Sequence, residues 1–283
     1  MKSVRVHCMT NPVTMQDVAN ILLAVGASPI MALDRREAAE IALRSDALLL
    51  NTGVPNDEKW AAWECAGMAA EKGGRPVVLD PVGAGASRYR AEGLRRLLGN
   101  VHPQIIRCNR AEASALLDMT GSGAGVQRPG MQNLGLQEAE VRETETGVDS
   151  FLDMSSGQAG LLASELAKRY GCTVLMSGEE DIVSDGERLF SIGGGDARIR
   201  KITGGGCMLS ALCAWRLGAG DAAFQAAEYA AGFWRSASAE AGRRTDSFDG
   251  FGSGIGTFHI CLFDAASNFA ALHGERQQGG KDE

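Results

Sequence analysis

Short runs of apolar residues with no polar side recur along this chain, and they narrow its possible folds more than any other feature. ALLLN at 47–51, PVVLD at 76–80, PQIIR at 103–107 and TVLMS at 173–177 are the clearest of them. Runs of this length suit strands, and a strand without a wet face belongs in a parallel sheet covered by helices on both sides. The segments between supply those helices, over 56–72, 88–98, 110–118 and 156–170. The first unit follows the same plan. SVRVHCM at 3–9 alternates like a strand, Thr14 precedes MQDVANILLAVG, and Val18, Ile21, Leu22 and Val25 form one stripe that Gly26 closes. DIVSD, RLFSI and ARIRK read as three short meander strands at a sheet edge, separated by glycine-rich turns. Helices over 208–218, 221–241 and 257–273 complete an α/β class with a mostly parallel central sheet and helices on both faces.

Without a linker or an internal repeat, residues 1–283 read as a single domain. The stretch 120–147, rich in Gly, Gln and Glu with no sustained period, is expected to be a surface insertion, and the polar residues after 273 a flexible tail. The charge balance is acidic, with 28 Lys plus Arg against 35 Asp plus Glu, and no basic cluster tracks phosphates, which argues against a nucleic-acid partner. Seven scattered cysteines without a CxxC pair write neither a disulfide framework nor a zinc ribbon, and they point to a reducing compartment. No segment approaches the roughly 18 to 20 apolar residues that span a bilayer, so no membrane is expected. The N-terminus lacks a signal peptide's apolar run, and a cytoplasmic location follows as the expectation.

Ligands of open parallel sheets bind beyond the carboxyl ends of the strands, and the residues there are unusual. TNPVT (10–14), NTG (51–53), DPVGAGAS (80–87), RCNRAE (107–112) and SGEED (177–181) bring polar and glycine-rich groups to one rim. ITGGGCM (202–208) runs three glycines into an apolar helix. It reads either as a phosphate cradle, whose free N–H groups and helix dipole favour an anion, or as a tight turn that merely needs glycine. Cys207 opens that helix, where a thiol's pKa is expected to fall, so it is a candidate base or nucleophile against the plain reading of a buried cysteine. His7 and His259 stand in no catalytic frame with it, which disfavours a cysteine hydrolase; His102 and His273 read as surface residues. Asp80, at a strand end, and Glu112, in a first helical turn, would separately be a cap and a helix-terminal charge. On one rim they become candidate holders of a hydrated Mg²⁺. Arg107 at a strand end has good electrostatic reasons to be there if polyphosphate lies nearby.

In order along the chain, HCMTNPVTMQDVANILLAVGASPIMA, DPVGAGASRYR, IIRCNRAE, GVDS, SGEEDIVSDG, ITGGGCMLSAL and GTFHICLFDA resemble the hydroxyethylthiazole kinases of the ribokinase-like superfamily. The resemblance spans nearly the whole chain apart from 120–147 and the tail. It implies a ribokinase-like fold, ATP and Mg²⁺ as cofactors, phosphorylation of the primary alcohol of hydroxyethylthiazole in thiamine biosynthesis or salvage, and a homotrimer with sites between subunits. Residue by residue, it puts Met31, Gly204, Asn11 and Val13 against the thiazole, Arg107, Ser177 and Asn109 against ATP, and Asp80 and Glu112 near the metal. Cys207, with Gly204, Gly205 and Gly206, takes the catalytic turn, at a position where most ribokinase-like kinases keep an Asp base.

Two positions depart from the family pattern. Gly205 stands where Thr, Ser or Ala is usual, which loosens the turn, and Pro12 stands where a large residue is frequent. A repair dehydratase for hydrated nicotinamide nucleotides shares the NxxE frame and a glycine-rich turn but normally carries Asp at the place of Cys207. A non-catalytic regulator that binds thiazole and nucleotide is a further alternative, and a pyrimidine-type alcohol kinase would be told apart by substrate competition. Retention of Asp80, Glu112, Arg107 and Cys207 favours an active enzyme.

Overall fold

A computed structural model of the chain describes residues 3–119, 156–248, 250 and 254–279. The apolar runs become strands β1 (Arg5–Met9), β2 (Ser28–Ile30), β3 (Ala47–Asn51), β4 (Val77–Asp80), β5 (Ile105–Asn109), β6 (Thr173–Ser177), β7 (Asp181–Ser184) and β8 (Leu189–Ile192). They form one sheet in the order β2-β1-β3-β4-β5-β6-β7-β8. The pairings from β2 through β6 are parallel, and β7 and β8 close the edge antiparallel.

The strands lack a polar side because successive side chains enter two different cores. In β3, Leu48 and Leu50 pack on one face, whereas Ala47 and Leu49 pack on the other. The first core is covered by α1 (Met15–Ala24), joined later in the chain by three helices that return to the same face. The second is covered by α2 (Arg35–Arg44), α3 (Asp57–Lys72), α4 (Arg88–Asn100), α5 (Arg110–Asp118) and α6 (Ser156–Tyr170). The returning helices are α7 (Gly205–Gly218), α8 (Ala223–Asp246) and α9 (Ile255–Gly279). Nearly every side chain of α7 from Cys207 to Ala214 is buried, as expected of a helix that has protein on all sides. Its first turn is thereby fixed against the sheet.

The structure differs from the sequence pattern in a few places. ARIRK forms a 3-10 turn (Ala197–Lys201), not a third meander strand. The Asp196 carboxylate caps it, accepting from the Arg198 N–H at 2.9 Å and from the Arg198 guanidinium at 2.6 Å; Gly194 and Gly195 before it are both left-handed, so the chain bends away from the edge. β2 and α2 are additional elements: SPI is too short to show a period, and α2 buries only Ala38 and Ala42. α9 continues to Gly279, past residue 273, because Glu275, Arg276, Gln277 and Gln278 are polar yet good helix formers. The 120–147 stretch and the last four residues lie outside the described part.

Candidate active site

Six parallel strands deliver their carboxyl ends to one rim, and the order changes direction at β1, which has β2 on one side and β3 on the other. Chains leave that point in opposite directions and open a crevice. Asn11, just after β1, and Asn51, the last residue of β3, meet across it, the Asn11 amide donating to Asn51 Oδ1 at 3.0 Å. The register sets Asn51 beside Asp80 on β4. From there Asn51 Nδ2 donates to Asp80 Oδ2 at 2.9 Å and to Cys207 Sγ at 3.1 Å. Ser210, on the same face of α7 as Cys207, donates to Asp80 Oδ2 at 2.8 Å. Arg107 on β5 reaches in from the other side. Its Nη1 lies 3.6 Å from Asp80 Oδ1, and its Nη2 donates to the Ser177 hydroxyl at the end of β6.

Burial governs the ionisation of this set. Asp80 is fully buried, which pushes its carboxyl up; the Arg107 charge and the bonds from Ser210 and Asn51 oppose that without cancelling it. Glu112 is raised by burial and then by the charge of Asp80. Burial pulls Arg107 down, but the two carboxylates outweigh it and the net direction is up. Glu112 and Asn109 are otherwise occupied with each other: Asn109 Oδ1 accepts from the Glu112 N–H and Glu112 Oε2 from the Asn109 N–H, each at 2.9 Å, a complete capping box on α5. Glu112 Oε1 also accepts from the Gly83 N–H at 2.9 Å, which ties the DPVGAGAS loop to α5.

Cys207 reverses the expectation for a thiol at a helix start. Its pKa is raised to about 11, first by burial and then by the charge of Asp80, against weaker help from Thr14, Arg107 and Asn51. Desolvation of the thiolate outweighs the helix terminus, so the group is a neutral thiol at pH 7. Neither His7, bonded to Ala32 O at 2.7 Å, nor His259, paired with Asp17 at 3.3 Å, makes a hydrogen bond to it.

The three glycines before Cys207 have three different reasons to be glycine. Gly204 caps α7 at φ 83°, and a Cβ there would meet Thr14 Cγ2 at 2.8 Å. At Gly205 a Cβ would lie 3.2 Å from the backbone carbonyl of Ile199, a tight contact. A Cβ on Gly206 would fall 2.1 Å from Arg107 Nη1. The first helical bond runs from the Met208 N–H to Gly204 O, so the amides of Gly205, Gly206 and Cys207 form an unfilled donor set above Arg107.

The structure therefore links Asn11, Asp80, Arg107, Ser177, Gly206 and Cys207 in one contiguous set, with Gly204 and Gly205 at its edge. Val13 stands apart: its N–H donates to Asn11 Oδ1 at 3.0 Å, while its side chain is 64% exposed. Met31, after β2, is half-buried against the core that contains α7, with no bond to the polar set. Sequence reasoning passed over Asn51, Ser210 and Arg235. Asn51 had a signal, the NTG at a strand end; the other two sit inside helices and had none. From α8, Arg235 donates to both Asp181 oxygens and to the carbonyls of Gly178, Glu179 and Gly194, pinning the two loops beside Ser177.

Among the described residues no group of three or more His, Cys, Asp and Glu is placed to cage a metal. Asp80 Oδ1 is buried with no hydrogen-bond partner, with Arg107 Nη1 3.6 Å away. A buried carboxylate oxygen beside an anion cradle fits a hydrated cation held mainly by phosphates.

Known proteins are similar to this chain in sequence and fold. A hydroxyethylthiazole kinase from Clostridium botulinum (strain Alaska E43 / Type E3) is 37% identical over 262 residues, 93% of this chain and 86% of the relative. The solved structure of a hydroxyethylthiazole kinase protein from Pyrococcus horikoshii OT3 superposes with a TM-score of 0.76 at 28% identity, covering 94% of this chain and 88% of that one. A ribokinase-like superfamily protein from Enterococcus faecalis V583 shares the fold alone, with a TM-score of 0.58 at 9% identity, covering 94% and 87%. The model of the Hydroxyethylthiazole kinase family matches residues 2–141 and 134–271. With the family match and the 37% relative in agreement, the chain belongs to the hydroxyethylthiazole kinase family.

Proposed function

We propose that the protein transfers the γ-phosphoryl group of ATP to the primary alcohol of 4-methyl-5-(2-hydroxyethyl)thiazole, a step of thiamine biosynthesis or salvage. The observation that carries this reading is Arg107, 3.6 Å from Asp80 and packed against Gly206, where the free amides of Gly205, Gly206 and Cys207 open α7. Phosphoryl transfer passes through a loose transition state, so catalysis is positioning and charge neutralisation more than covalent work. The amides receive the γ-phosphoryl oxygens, and Arg107, held by Ser177 and Asp80, holds the phosphate tail. Asp80 and Glu112 would hold the hydrated Mg²⁺. That ion, when bound, offsets phosphate charge. Asn109, whose backbone N–H donates to Glu112 Oε2 at 2.9 Å, keeps that carboxylate in place beside the nucleotide.

On the acceptor side, Asn11 and Cys207 meet the alcohol, and Met31, Val13 and the edge of Gly204 line the thiazole. Val13, at 64% exposure, leaves that wall open to solvent in a single chain. A homotrimer with sites between subunits would cover it. Light scattering that found a fully active monomer would exclude interfacial sites.

The direct test is incubation of the purified protein with ATP, Mg²⁺ and hydroxyethylthiazole, with the product identified by mass. Thiazole phosphate is the expected product; binding of both substrates without transfer would favour a regulator. Because the Cys207 thiol titrates at about 11, it starts each turnover protonated, and little charge develops on the attacking hydroxyl. Cys207→Ala is expected to retain turnover, with kcat lowered by at most about a hundredfold, the bottom of the range that general bases supply. Complete loss of turnover with ATP binding intact would contradict this role.

A further inference from the structure

Asn51 touches both halves of the proposed site, Asn11 and Cys207 on one side and Asp80 on the other. It is fully buried at the end of β3, and its carboxamide uses every hydrogen-bonding position it has. Oδ1 accepts from Asn11 Nδ2 and from the Gly53 N–H, each at 3.0 Å. Nδ2 donates to Asp80 Oδ2 at 2.9 Å and to Cys207 Sγ at 3.1 Å. The Gly53 N–H can only donate, which fixes the amide's orientation and leaves no alternative flip. Close packing fixes it further: a Cβ on Gly53 would lie 2.7 Å from Asn11 Nδ2. The sulfur is thus an acceptor on its Asn51 side.

We infer that Asn51 is a positioning residue for phosphoryl transfer, holding the Cys207 thiol and the Asp80 carboxylate in one fixed register so that acceptor and phosphate meet in line. This rests on the phosphotransfer reading above. A residue that acts through Cys207 loses its effect when Cys207 is gone, whereas a residue that merely supports the fold does not.

The experiment is a double-mutant cycle of Asn51→Ala and Cys207→Ala, followed by thiazole phosphate formation and by calorimetric binding of ATP. In the otherwise wild-type chain, Asn51→Ala is expected to lower kcat about thirtyfold, within the range for hydrogen bonds to charged groups. ATP affinity is expected to stay within about twofold of wild type. In the Cys207→Ala background the same substitution is expected to cost at least about fivefold less. If Asn51→Ala does not fold, Asn51→Ser, which keeps a hydroxyl and leaves room for a water, enters the same cycle. Losses that agree within about twofold in the two backgrounds, or an ATP affinity that falls in step with kcat, overturn the proposal alone. Absence of product from the wild-type protein overturns the phosphotransfer reading, and the proposal with it.

Discussion

Gly206→Ala is expected to lower kcat/KM about a hundredfold, within the cost of removing one preorganised electrostatic group, while the protein still folds. Alanine is the better helix former, and Gly206 has ordinary helical backbone, so the loss does not come from α7 itself. It comes from what lies below. The new Cβ would sit 2.1 Å from Arg107 Nη1 and 2.6 Å from its Cζ, so the guanidinium has to leave. Leaving separates it from Asp80 and Ser177 and takes a fixed positive charge from beneath the cradle. Gly205→Ala is the control. Its Cβ meets Ile199 O at 3.2 Å and approaches no charged group, so the site should keep its activity. Steady-state kinetics on the two variants decide the matter, and equal effects at both positions would mean that Arg107 does not matter to turnover.

Asp80→Asn is expected to lower kcat by about a thousandfold without lowering the melting temperature at pH 7. A free aspartate titrates near 3.8, and burial lifts Asp80 above that in the folded protein. Between the two values the folded chain holds a proton that the unfolded chain has released, so this residue's contribution to stability declines as pH rises from about 4. Asparagine keeps the shape and can still accept from Ser210, but it carries no buried charge. Arg107 keeps the field of Glu112. The melting temperature of the variant is therefore expected at or above that of the wild type at pH 7, with the gap closing as pH approaches about 4. A variant that melts several degrees lower at pH 7 would show instead that the Arg107–Asp80 pair is net stabilising. The carboxylate would then be retained for the fold as well as for the chemistry.

Strand ends were the legible part of this site. Asp80, Arg107 and Ser177 could be read because each follows an apolar run too short and too dry to be anything but a buried parallel strand, and parallel strands leave their ends on one side. The glycine string could be read as special but not sorted. A backbone pattern cannot say that Gly204 is left-handed against Thr14, that Gly205 faces the Ile199 carbonyl, or that Gly206 faces a guanidinium. Glu112 was legible as one half of NxxE, yet the capping box it forms and its bond to Gly83 depend on where the DPVGAGAS loop returns.

The sequence alone determined most strands of the sheet, its two covered faces and most of the rim, because strand and helix periods are set by neighbours a few residues apart. The tertiary structure decided the state and the partners of what stands there. Asn51 and Cys207 are 156 residues apart and Ser210 and Asp80 are 130 apart, yet each pair is in hydrogen-bond contact. The thiol's pKa moves up instead of down because its dominant cause is desolvation, a sum over side chains from α7 and the strand ends that no local motif records.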